Sequence, residues 1–481
     1  MALSVTREEI LHKGYAPFDF NARKIGKGNL IVAEHGQWAV LNDDELELLE
    51  HGVIDEDSLL FKLLEEKGII LTLRNKELIE NYYRQRMGFL FHGASLHIIV
   101  LTNRCTHKCI YCHASAKGSK CREFDMTRET AKKTVDFIFQ SPSQTITIEF
   151  QGGEPLLNFD ILKFIVGYAR EKNNKAKRDL RLTVVTNLQL MDNEKLDFLL
   201  ENNVSICTSL DGPEDVHNAN RIPEDRNFNS YQNVARWAKI IQKRCNNEKK
   251  DWTISALVTT TKASLEKPKE IVDEYAKLGF NQICIRHLNW LGFSGENYKK
   301  IGYSANEYID FWKKCADYII ELNKKETLLK ERTLLIILSK IAGKTDPGFL
   351  DLRSPCGACI GQLAYNYDGK IYSCDEARTL KEDIFMVGNV EQKYSEVLGS
   401  NKTCAIVSSS IIDGPCSECV WKPYCGTCPV STFSQTNSLI PSTSEDFRCR
   451  VHDFQFEYVF EKIMDKDFQE KIVKKWFSLP S

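Results

Sequence analysis

Thiolate chemistry is written most plainly into this chain. Eleven of its seventeen cysteines fall into two spaced groups. The first is Cys105-x3-Cys109-x2-Cys112. The second runs from Cys356 to Cys449 and contains Cys416-x2-Cys419-x5-Cys425-x2-Cys428. Thiolates at such spacings wrap around a soft metal centre, as iron–sulfur clusters require. Three cysteines instead of four leave one iron of a four-iron cluster without a protein ligand. An open position is what lets a metal hold and activate a small molecule, as in a catalytic zinc site. Paired C-x2-C units also suit structural zinc, so residues 416–428 taken alone read equally as a zinc site. The remaining six (Cys121, Cys207, Cys245, Cys284, Cys315, Cys404) are scattered singly, as small core residues are.

The elements that must carry the first group begin at residue 96. Strand-like runs are LHIIVLT (96–102), TITIEFQ (145–151), LRLTVVTN (180–187), VSICTSL (204–210), WTISALVTT (252–260) and QICIRHL (282–288). Helical patterns lie between and after them. The strands are rich in β-branched residues and nearly continuous in hydrophobicity, as strands buried on both faces are. Six βα units in sequence imply an α/β fold with a parallel sheet and right-handed crossovers. That is too few for a closed eight-stranded barrel. The cysteine loop directly follows the first strand, and active-site residues of α/β barrels gather at such C-terminal strand ends. The second strand ends in Gln151-Gly152-Gly153-Glu154-Pro155, whose glycines permit close backbone approach to a ligand.

The loop CTHKCIYC, with Tyr111 before its third cysteine and GGEP one strand downstream, resembles the radical S-adenosylmethionine (SAM) superfamily. The resemblance implies a partial (β/α)6 TIM-like barrel. It also implies a [4Fe–4S] cluster on Cys105, Cys109 and Cys112, whose open iron is chelated by SAM. Reduction of that cluster would cleave SAM to a 5′-deoxyadenosyl radical that abstracts hydrogen from substrate. Gly152, Gly153, Glu154 and Pro155 would meet the SAM amino group. Asn187 and Ser209, at the ends of the third and fourth strands, would meet ribose or the SAM carboxylate. Asp211 reads either as a cofactor contact or as a turn and helix tie. Arg221 reads either as a fork on the SAM carboxylate or as a surface ion pair.

The second cysteine group resembles the SPASM domain of peptide and sulfatase maturases, which holds two auxiliary [4Fe–4S] clusters. Carried over, one cluster takes Cys359, Cys374 and Cys428 with Cys356 as fourth ligand, and the other takes Cys416, Cys419, Cys425 and Cys449. The chain departs from the family's pattern at two places. Two residues separate Cys425 and Cys428 where three are usual, and Cys356 lies closer to Cys359 than its family counterpart does. Three clusters per chain follow. Gln151 and Asp375 stand where sulfatase-maturing relatives carry substrate-contacting and proton-accepting residues, which makes both catalytic candidates. The simplest alternative for Asp375 is a backbone hydrogen bond beside the cluster.

The resulting division is 1–92, 93–325, a linker over 326–348, a SPASM domain over 349–455 and a C-terminal helix over 456–481. In the first unit, NLIVAEHGQWAVLN reads as two strands joined at His35-Gly36, and DDELELLEHG and DSLLFKLLEEKG read as helices ending at Gly52 and Gly68. This resembles winged-helix-like elements that bind leader peptides by strand addition, with Asn29–Ala33 or Gln37–Leu41 as the receiving edge. A plain capping domain is the alternative.

A formal charge of −2 argues against nucleic-acid binding through phosphates. No apolar run is long enough for a membrane span, and MALSVTREEI does not read as a signal peptide, so a cytoplasmic protein is expected. The phrases CIYCHAS and WKPYCGTCPV are most similar to radical SAM maturases of His-Xaa-Ser peptide systems. The resemblance thus implies an enzyme that crosslinks a leader-bearing precursor peptide, fed by an electron donor such as flavodoxin or ferredoxin. The alternatives are an anaerobic sulfatase-maturing, formylglycine-forming enzyme and a non-catalytic, zinc-stabilised peptide-binding scaffold.

Overall fold

The computed structural model describes residues 14–325, 327–343, 348–380, 383–410, 414–440 and 446–478. The stretch read as lacking a signal peptide, together with linker residues 326 and 344–347, lies outside the described residues.

Six strands stand side by side in chain order: Leu96–Thr102, Thr145–Gly152, Asp179–Val185, Val204–Ser209, Ser255–Thr259 and Gln282–Arg286. Every neighbouring pair is parallel. The fifth starts three residues later than the sequence pattern suggests. The helices between them start at ordinary side-chain caps: Thr127 accepts from Thr130 N, Asp192 from Lys195 N and Asn229 from Gln232 N. Ser304 and Glu307 form a reciprocal capping box ahead of Ala305–Lys324.

Burial corrects one expectation. Only the first strand is buried nearly throughout; along Thr145–Gly152, Val204–Ser209 and Ser255–Thr259 buried and half-buried residues alternate. Ile146, Ile148, Phe150, Ile206 and Val258 join the main core. Glu149, Gln151, Cys207 and Ser209 fall on the opposite face. A sheet that curls without closing has a packed outside and a less crowded inside, so the period-two signal returns.

The sheet does not stop at the barrel. Lys330–Glu331 continues it in parallel beyond Gln282–Arg286. On the other side Gln362–Tyr365, from the cysteine-rich region, pairs in parallel with Leu96–Thr102. The antiparallel strands Lys370–Tyr372 and Met386–Asn389 follow and complete ten strands. Helix Phe447–Ile463 carries Cys449 and runs on through residue 455. A second helical stretch, Lys466–Ser478, follows it.

The N-terminal unit is a three-stranded antiparallel sheet, Phe20–Ile25, Gly28–Ala33 and Trp38–Leu41, in that order. Helices Asp43–His51 and Leu59–Glu66 form as expected, the first with an Asn42–Glu45 capping box and a left-handed Gly52. Strand Phe20–Ile25 and helix Lys76–Met87 are additions to the sequence reading. Gly28–Ala33 is therefore central, paired on both sides, and cannot be the receiving edge; Trp38–Leu41 is an outer strand. One sheet face, Ile31, Ala33, Ala39 and Leu41, packs with Leu49, Phe61 and Leu64 of the unit's own helices. The other, Ile25, Leu30 and Val32, joins the core of the main body. Trp38 Nε1 donates to Ile341 O at 2.9 Å and Asn21 Nδ2 to Ser417 O at 3.1 Å, while Arg23 pairs with Asp453 at 2.5 Å. Among the described residues, no helix is long and apolar enough to cross a membrane.

Candidate active site

The three-cysteine loop leaves the first barrel strand at Thr102. Cys105 sits on a two-residue strand paired with Lys117–Gly118, and Cys109 on His107–Cys109, which pairs antiparallel with Arg221–Pro223. Cys112 N donates to Cys109 O at 3.1 Å, closing the turn that carries Tyr111. The loop is fastened from several directions. Asn187 Nδ2 reaches Cys105 Sγ at 3.7 Å, Thr106 Oγ1 at 3.2 Å and His107 Nδ1 at 3.0 Å. Asn297 Nδ2 donates to Ile110 O at 2.8 Å, and Phe293 N to Cys112 O at 2.9 Å. His107 Nε2 and His217 Nε2 share Ser230 Oγ, at 3.0 and 2.9 Å.

The Gly152-Gly153-Glu154-Pro155 segment forms the adjoining wall. The strand register shifts between Gln151 and Gly152, a bulge that turns the chain toward the loop. Gly153 N donates to Thr102 O at 2.8 Å and Glu154 N to Arg104 O at 2.7 Å. Any side chain here would collide, since a Cβ on Gly152 would fall 2.1 Å from Thr102 O and one on Gly153 2.1 Å from Arg104 O. Glu154 is fully buried. It accepts from Thr186 Oγ1 at 2.7 Å, Asn187 N at 2.8 Å and Leu156 N at 3.0 Å. Burial raises its carboxyl to about 7, opposed by those donors.

Asp211 is the hub of the opposite wall. Tyr111 Oη donates to Asp211 Oδ2 at 2.5 Å, and Asn220 Nδ2 and Arg221 Nε each approach that oxygen at 3.3 Å; Thr259 N reaches Oδ1 at 3.3 Å. The Arg221 guanidinium lies 5.4 Å from the Tyr111 ring centre. Burial opposes its charge, but Asp211, Tyr111 and Cys109 outweigh burial and hold it well above its ordinary value. In this arrangement Arg221 and Asp211 hold each other and the Tyr111 turn. Ser209 ends the fourth strand, half-buried, near this group.

The cysteine-rich region places its eight cysteines as two sets of neighbours. Cys374 is electrostatically close to Cys428 and Cys356, and Cys356 is also a neighbour of Cys359. Cys425 is close to Cys419, Cys449 and Cys416. Burial, then thiol–thiol repulsion, pushes Cys359 up to about 12. Asp375 follows Cys374 in a half-buried turn, and its charge acts on Cys374 and on Arg378. Gln151 Nε2 donates to Glu149 Oε1 at 2.5 Å.

The loop's donor set, three thiols with no fourth, fits a four-iron cluster with one open position. Among the described residues, no three His, Cys, Asp or Glu side chains converge tightly enough for a single metal ion. Cluster cysteines need to stand wider apart, one per iron. Burial raises Cys109 to about 12, with Arg221 opposing and Cys112 adding repulsion. Buried thiols such as Cys105 and Cys109, which resist ionisation, become thiolates only around a cationic centre. The residues present therefore fit a cluster at the loop.

Sequence reasoning missed several supports. Gly292, with φ 55°, packs so closely on the loop that a Cβ would lie 2.2 Å from His113 O. Ser230, His217 and Asn297 carry no motif; only the fold brings them to the loop.

Residues 99–307 match the family model of the Radical SAM superfamily. The cysteine-type anaerobic sulfatase-maturating enzyme of Clostridium perfringens is 25% identical over 385 residues, covering 77% of this chain and 97% of the relative. The solved structure of native anSMEcpe with bound AdoMet superposes with a TM-score of 0.65 at 22% identity, covering 77% of this chain and 98% of that one. Streptococcus suis SuiB bound to precursor peptide SuiA gives a TM-score of 0.52 at 15% identity. Here coverage rises to 88% of this chain and is again 98% of the other.

Proposed function

Since residues 99–307 are a radical SAM domain and the chain is an enzyme, we propose that it modifies a ribosomally made precursor peptide, forming a crosslink. The observation that carries this reading is the N-terminal unit, seated on the cysteine-rich region and offering the outer strand Trp38–Leu41. The division at residues 92, 325, 348 and 455, a cytoplasmic setting and kinship with His-Xaa-Ser system maturases belong to the same proposal. When bound, a [4Fe–4S] cluster and SAM supply a hydrogen-abstracting radical on one-electron reduction by a flavodoxin- or ferredoxin-like donor.

The chain's own residues do the rest. Cys105, Cys109 and Cys112 hold the cluster and leave one iron open. Gly152 and Gly153 let the methionine end of SAM lie against backbone, and Ser209 and Asn187 supply polar groups to its ribose or carboxylate. Asp211 and Arg221 fix the Tyr111 turn. Gln151 orients substrate at the inner barrel face, and Asp375 takes a proton from the oxidised substrate beside Cys374. The sets Cys356, Cys359, Cys374, Cys428 and Cys416, Cys419, Cys425, Cys449 hold two auxiliary clusters, giving about twelve irons per chain.

A second reading has its own support. Similarity to the C. perfringens sulfatase-maturating enzyme spans 97% of that protein, so formylglycine formation stands beside crosslinking.

Leader binding separates the two. Ala33 N donates to Gln37 O at 2.9 Å, so in the antiparallel alternation Trp38 and Val40 turn their backbone groups outward. Val40→Pro removes an outward donor without breaking a ladder bond. Expected is a tenfold or larger loss of affinity for a fluorescent leader peptide encoded beside this gene, with uncoupled deoxyadenosine formation unchanged. Unchanged leader affinity would leave the sulfatase-type reading standing. Deleting residues 1–92 is a poorer test, because it strips Leu30 and Val32 from the main core.

A further inference from the structure

Where the cysteine-rich region meets the barrel mouth stands a half-buried arginine whose side-on guanidinium edge is buried. Arg378 lies on the short helix Ala377–Thr379, just beyond Cys374 and Asp375. Its Nη1 donates to Asn103 Oδ1 at 3.3 Å, and Asn103 directly precedes the three-cysteine loop. Nε and Nη2 are buried and have no hydrogen-bond partner among the described residues. Those two N–H groups form the side-on fork of a guanidinium, the edge that matches both oxygens of a carboxylate.

Asp375 is close enough to act on the Arg378 charge, yet bonds neither fork nitrogen. Glu376, next in the chain, is already engaged: Asn289 Nδ2 donates to its Oε1 at 3.1 Å, and Arg286 Nη2 stands 3.6 Å away. Arg286 closes the last barrel strand, so this patch spans the ends of the first and last strands, where barrel chemistry gathers. His113, directly after Cys112, adds a second buried orphan at Nε2. A desolvated guanidinium with an unfilled fork is costly, and the cost is removed when an anion arrives.

We propose that Arg378 is the floor of a carboxylate subsite that selects an acidic residue, or the C-terminal carboxylate, of the peptide substrate. The inference rests on the peptide-modifying reading and names what that peptide must carry. His113 Nε2, buried and without a hydrogen-bond partner among the described residues, is a second polar atom at this patch. Arg378 is a specificity residue, distinct from the proton acceptor assigned to Asp375.

The test uses the full-length, cluster-loaded protein and three degenerate hexapeptide pools: central Glu with an amidated C-terminus, central Gln with an amidated C-terminus, and central Gln with a free C-terminus. Retention of each pool on immobilised wild type, Arg378→Gln and Arg378→Lys is compared at equal iron content. Wild type should retain the Glu pool, or the free-acid pool, at least tenfold over the Gln amide, and which one identifies the source of the carboxylate. Arg378→Gln should lower that ratio to about one, and Arg378→Lys, charged but without a fork, should recover only part of it. Equal retention of all pools by wild type would overturn the subsite while leaving peptide binding intact. Retention of none would overturn the subsite, and the peptide-modifying reading would then stand or fall on the leader-binding test alone. A tenfold rise in the SAM KM of Arg378→Gln, without a change in pool selectivity, would assign the fork to SAM and also overturn the proposal.

Discussion

The main chain of the Cys105–Cys112 loop is tied to strands and side chains far away in the chain, whereas the main chain at Cys416, Cys419 and Cys425 closes on itself in short turns, held from outside by side chains such as Asn21, whose Nδ2 donates to Ser417 O and Cys419 O. Asn187, Asn297, Phe293 and the Arg221–Pro223 strand all reach into the first. In the second, Cys419 N returns to Cys416 O, Lys422 N to Cys419 O and Cys425 N to Trp421 O, each within a few residues. The difference teaches which site the fold builds and which site a metal must help to build. A preformed loop presents its ligands before the cluster comes; a turn-rich module gains much of its folding free energy from the metal.

The largest effect that could break this contrast lies in the loop. Replacing Cys105, Cys109 and Cys112 together by alanine should abolish deoxyadenosine formation under anaerobic reducing conditions, while circular dichroism and the melting temperature of the barrel hardly change. Undiminished deoxyadenosine would sink the assignment. A collapsed barrel would show that the loop, too, is organised by metal.

Next comes the module. Cys416→Ala with Cys419→Ala should keep uncoupled SAM cleavage but lose modified peptide. Limited proteolysis should then cut within residues 348–440 and spare 96–307. Equal resistance of both regions would erase the contrast.

The smallest effect sharpens the barrel side alone. Glu331 is fully buried at the start of helix Arg332–Ala342, accepts from Leu334 N at 2.7 Å, and is raised by burial from 4.5 to about 7. The folded chain thus keeps a proton that the unfolded chain releases as pH climbs from 4.5 to 7, so stability falls over that window. Glu331→Gln should remove a pH-dependent loss of at most on the order of 3 kcal/mol. Melting curves at pH 5 and 7.5 would converge for the variant and diverge for the wild type. Iron release should follow the same pH profile in both.

Much of this architecture was readable in the residues. The first strand was placed to the residue, and the cysteine and GGEP motifs fell on one end of the sheet, because hydrophobic runs and loop motifs are local signals. Strand Phe20–Ile25 was missed because FNARKI alternates polar and half-buried positions, as an outer strand does. The centrality of Gly28–Ala33 did have a signal, since the unbroken apolar run LIVA is what a strand covered on both faces carries. Arg378, Ser230 and Gly292 could not be found from sequence patterns. Their roles arise from partners 275, 123 and about 180 residues away, and no periodicity reports a contact at that range.

The pairing of Gln362–Tyr365 with Leu96–Thr102 has a bearing on how this chain can be cut. A fragment ending before residue 349 would keep the whole three-cysteine loop, yet the strand that feeds that loop would lose its neighbour on one side. Its bare amides and carbonyls, flanked by Ile98, Ile99, Val100 and Leu101, would invite a second copy to fill the gap. Such a fragment should elute as oligomers, and adding the strand back as a separate Gln362–Tyr365-containing peptide should return it toward a monomer.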